Sequence, residues 1–66
     1  MSSLGQAFPL EQGRCRELLG WYIEQGGPGA FGRLVIEDVL KRADEAASSG
    51  DPIRMLQLYE EMRGLK

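Results

Sequence analysis

The sequence predicts an all-α fold: one domain of three helices. Three observations carry this. Apolar residues recur at helical spacing in three separate segments. Breaks containing Gly and Pro divide those segments, at Gly26-Gly27-Pro28-Gly29 and at Ser49-Gly50-Asp51-Pro52. A length of 66 residues leaves room for a single domain.

Residues 1–8 read as a flexible N-terminal arm ending at the Phe8–Pro9 junction, and residues 9–66 as the folded domain. Helix one is predicted from about Pro9 to Gln25, because Pro suits the first turn and Glu11 favours the helix dipole there. Cys15, Leu18, Leu19, Tyr22 and Ile23 share one face, and Trp21 lies beside it. Helix two is predicted over 30–48. Phe31, Val35, Ile36, Val39, Leu40, Ala43, Ala46 and Ala47 form a wide apolar face, opposite Arg33, Glu37, Lys41, Asp44 and Glu45. That width makes it the central element.

Gly50 suits the left-handed residue that closes helix two, Asp51 the N-cap of helix three, and Pro52 its first position. Helix three is predicted over 52–63, paired with helix two as an antiparallel hairpin. Met55, Leu56, Leu58, Tyr59 and Met62 form its stripe, with Ile53 at the flank. Gly64 reads as its C-cap, with Leu65 folding back on the last turn.

Size and composition exclude several functions. A chain this short buries only about 60% of its unfolded surface, which leaves no depth for a substrate cleft. One Cys and no His exclude an internal disulfide, a structural zinc site and papain-type chemistry. Adjacent carboxylates such as Asp44-Glu45 and Glu60-Glu61 do not face each other on a helix. No catalytic residue, cofactor, metal or small-molecule substrate is therefore expected. A net charge of −2 argues against nucleic acid. No apolar run is long enough to span a bilayer, and Met1–Phe8 lacks the pattern of a secretory signal, so a cytoplasmic protein is expected.

Several features admit two readings. The Gly26–Gly32 run superficially suggests a phosphate loop, but it lacks the Lys-Ser/Thr of that motif and follows a helix, so an interhelical turn is the stronger reading. Gly13 and Gly20 stack on the side of helix one away from its apolar face, and each costs about 0.8–1 kcal/mol relative to Ala. They mark either close approach by a partner or tolerated surface glycines. Trp21, Leu34 and Phe8 have no obvious place in a three-helix core; they are either interface anchors or apolar groups left exposed or covered by the arm. Cys15 reads as a buried thiol, and Arg14, Arg16 and Arg33 as solvated charges.

The segments Arg14–Tyr22, Gly27–Gly32, Leu40–Asp44, Gly50-Asp51 and Met55–Met62 resemble small helical proteins encoded by tailed bacteriophages and prophages. That resemblance implies a bacterial cytoplasm and a role through binding, and it brings no site residues with it. The expected function is a non-catalytic protein-interaction module that self-associates, with Gly13, Gly20, Trp21 and Leu34 as candidate interface residues. The alternative is a nucleic-acid-binding or regulatory protein resembling a helix-turn-helix, with helices two and three as the motif.

Overall fold

A computed structural model describes residues 3–66. It contains α1 (Leu4–Gln25), a 3₁₀ turn (Gly27–Gly29), α2 (Ala30–Ser49) and α3 (Pro52–Arg63). All three helices touch one another, and no strand occurs among the described residues. No helix is long and apolar enough to cross a membrane.

The first helix begins at Leu4, not at Pro9, so the expected arm is helical over residues 4–8. Met1 and Ser2 of that arm lie outside the described residues. The reason is Phe8, which is fully buried and whose position continues the stripe of Cys15 and Tyr22 at seven-residue spacing. Its burial is worth about 1.5–3 kcal/mol. Pro9 opposes this: it sits inside the helix and has no N–H for the Gly5 carbonyl. An interior proline costs about 3 kcal/mol. The two terms nearly cancel, and Ser3 adds no side-chain cap.

The core is Phe8 and Cys15 from α1, Ile36, Val39, Leu40, Ala43 and Ala46 from α2, and Leu58 and Met62 from α3. The central helix supplies most of it, as the width of its apolar face predicts. Leu4, Leu18, Leu19, Tyr22, Met55, Tyr59 and Leu65 pack around it, half-buried. Five residues expected in the core are exposed: Ile23, Phe31, Val35, Ala47 and Leu56. At 100° per residue, Phe31 lies roughly 115° from the centre of the buried stripe of α2, beyond the arc that two neighbours cover. Leu56 stands about as far off the Leu58–Met62 line on α3.

The α2–α3 turn forms as its residues dictate. Gly50 is left-handed, with φ 70° and ψ 15°. The Asp51 carboxylate accepts from the backbone N–H groups of Ile53 (3.0 Å) and Arg54 (3.3 Å), and Pro52 opens the helix. Across the pair, Arg42 reaches Glu61 at 3.0 Å, which is compatible with antiparallel packing. Gly64 ends α3 in a right-handed conformation, its N–H shared between the Glu60 and Glu61 carbonyls. Its glycine freedom goes unused, and Leu65 follows it back toward the core.

This geometry predicts that Asp51→Ala lowers stability by about 0.5–2 kcal/mol. Gly50→Val costs more than Gly50→Asn, because a β-branched residue tolerates positive φ poorly. Thermal melts of the three variants read the order. Equal melting points for Gly50→Val and wild type would contradict the turn described.

Candidate interaction surface

The surface is built from what the core leaves outside. Phe31 is 80% exposed and Leu34 58% exposed, and both share a face of α2 with the partly exposed Val35. Spacings of three and four residues make these three a contiguous apolar strip. Beside it lies a shallow depression lined by Leu34, Val35, Leu65 and the ion-paired Asp38, Arg42 and Glu61. A neighbouring depression shares Val35 and Leu65 and adds Tyr22, Phe31 and Lys66.

Tyr22 explains why Phe31 faces outward. Its ring lies over Gly32, where an added Cβ would approach the ring to 2.4 Å. Its hydroxyl donates to the Lys66 carbonyl at 2.7 Å. Tyr22 therefore occupies the core-side position at this end of α2, and Gly32 is the residue that admits it. Trp21 is 53% exposed, meets Tyr22 edge-on at 5.1 Å, and lines a separate depression with Gln25, Pro28 and Gly29.

The candidate interface residues thus fall into different settings. Leu34 joins Phe31 and Val35, Trp21 faces Pro28, and Gly13 and Gly20 lie on α1 with nothing within 4 Å of an added Cβ. Among the described residues, no packing requires glycine at positions 13 and 20. The glycines that matter here are Gly29 and Gly32, where a side chain would meet Tyr22. Of the Gly26–Gly32 run, only Gly26 takes positive φ.

The polar groups are mostly in pairs. Arg14 bonds Glu11 at 2.9 Å, Arg16 bonds Asp44 at 2.9 Å, and Arg33 lies 4.0 Å from Glu37. Arg14 does more: its guanidinium donates to the carbonyls of Met62 (2.6 Å) and Leu65 (3.1 Å) at the end of α3. Cys15 is fully buried, with its thiol 3.7 Å from the Met62 carbonyl. Burial pushes that thiol's pKa up, and nearby Arg14 only partly opposes the shift. Its surroundings therefore disfavour the nucleophilic thiolate. No cluster of metal-ligating side chains occurs among the described residues.

Comparison with family models, curated proteins and solved structures finds no match for this chain.

The glycine geometry sets a contrast. Gly32→Ala is expected to destabilise by about 1–3 kcal/mol, the usual cost of overpacking. Gly13→Ala and Gly20→Ala are each expected to stabilise by about 0.5–1 kcal/mol in dilute monomer. Urea melts of the three variants check this. A neutral Gly32→Ala would contradict the Tyr22–Gly32 contact.

Proposed function

We propose that this chain is a small non-catalytic protein-interaction module, and that it self-associates through the apolar end of α2. The observation that carries the reading is the Phe31–Leu34–Val35 strip, a contiguous apolar face that the other described residues leave open at Phe31 and Leu34 and cover in part at Val35. Large exposed aromatic and aliphatic side chains side by side mark interaction surfaces more often than scattered single ones do. The resemblance to phage and prophage proteins adds a host or phage protein as a further class of partner. Two features of α3 weigh against the nucleic-acid alternative. Arg63 lies against the Tyr59 ring at 5.9 Å, and Glu61 is engaged by Arg42 on a helix of mixed charge.

Sedimentation equilibrium in the micromolar range is expected to give a mass above 7.3 kDa. Phe31→Glu and Leu34→Glu are each expected to return it to the monomer, since a charge there opposes burial. A wild-type monomer up to hundreds of micromolar would overturn self-association.

A further inference from the structure

We infer that residues 3–8 form a strap that opens about Pro9 as a unit, drawing Phe8 out of the core while the rest of the fold stays intact. The inference is independent of the proposed interaction surface. The strap is a weakly supported start to a helix. Its N-cap Ser3 makes no side-chain cap bond, its first turn holds no acidic residue, and Gly5 sits within it. Pro9 cannot donate to the Gly5 carbonyl, so a rung of the hydrogen-bond ladder is absent where strap meets helix.

One large contact opposes all this. Phe8 is among the largest fully buried side chains and belongs to the core cluster that α2 and α3 complete. Beyond Pro9, α1 is tied to the other helices independently of the strap. Arg14 bonds the end of α3, Arg16 and Gln12 bond Asp44 on α2, and Tyr22 bonds Lys66. Removing the strap breaks none of these links. A segment held by Phe8 and the half-buried Leu4, next to one held by many bonds, opens at lower free energy than the whole molecule. Opening uncovers the apolar socket that Phe8 fills.

Amide hydrogen exchange tests this on the intact chain. In wild type the amides of Phe8 and Leu10 are expected to exchange about a hundredfold faster than those of Leu18 and Leu19, with little dependence on low urea. Pro9→Ala restores the missing donor and should slow the strap amides by about a hundredfold, in line with the proline penalty. Fluorine NMR with 4-fluorophenylalanine gives separate signals for Phe8 and Phe31. Exchange broadening of the Phe8 signal that Pro9→Ala removes would tie the side chain to the same opening. Strap amides that exchange only with global unfolding, at the rate and urea dependence of Leu18, would overturn the inference. So would an unchanged rate in Pro9→Ala.

Discussion

The fold depends on how α1 holds the C-terminal end of α3. A helix of 12 residues is marginal alone. Its first turn is satisfied locally by Asp51. Its last carbonyls are bonded by the backbone N–H groups of Gly64, to Glu60 and Glu61, and of Leu65, to Met62, although Gly64 does not adopt the left-handed cap. The Arg14 guanidinium adds two bonds from another helix, donating to the Met62 and Leu65 carbonyls while Glu11 holds it in place. Tyr22 adds a bond to Lys66 farther along the same face of α1. These groups fix the last residues of the chain against α1, and Met62 and Leu58 are thereby set against α2.

The same arrangement decides what remains outside. α2 turns Ile36, Val39, Leu40, Ala43 and Ala46 to its two neighbours, and the alanines at the contact let them come close. Tyr22 fills the end of that seam over Gly32. The residues of α2 beyond the covered arc have nowhere to go, and Phe31 and Leu34 stand in solvent for that reason. The proposed interaction surface is thus a consequence of closing a small core around small residues.

Much of the fold was legible because it is written locally. Gly50-Asp51-Pro52 carries its own stop and start signals, and Pro52–Arg63 formed as its periodicity predicts. The exposure of Leu34 followed from its place among the charges of α2. What was not legible depends on distant partners. Leu4–Phe8 reads as an arm from Gly5 and Pro9 alone, and only the burial of Phe8 draws it into the helix. Phe31 lies at the margin of the wide apolar face, outside the arc that two neighbours cover, and the Tyr22 ring takes the core side at that end. Gly13 and Gly20 stand out in the sequence by their seven-residue spacing, whereas Gly32 matters through a ring one helix away. Arg14 looked like a solvated charge because its acceptors lie some fifty positions along the chain, at Met62 and Leu65.

Urea unfolding of Arg14→Met, with Arg54→Met as a control of the same chemistry at an exposed site on α3, tests the central claim most directly. Methionine keeps much of the stem of arginine and removes its donors. The account predicts a loss of about 1–2 kcal/mol for Arg14→Met, a charge-assisted bond discounted for partial exposure, and a change near zero for Arg54→Met. Equal stability of the two variants would contradict the claim that α1 holds the end of α3.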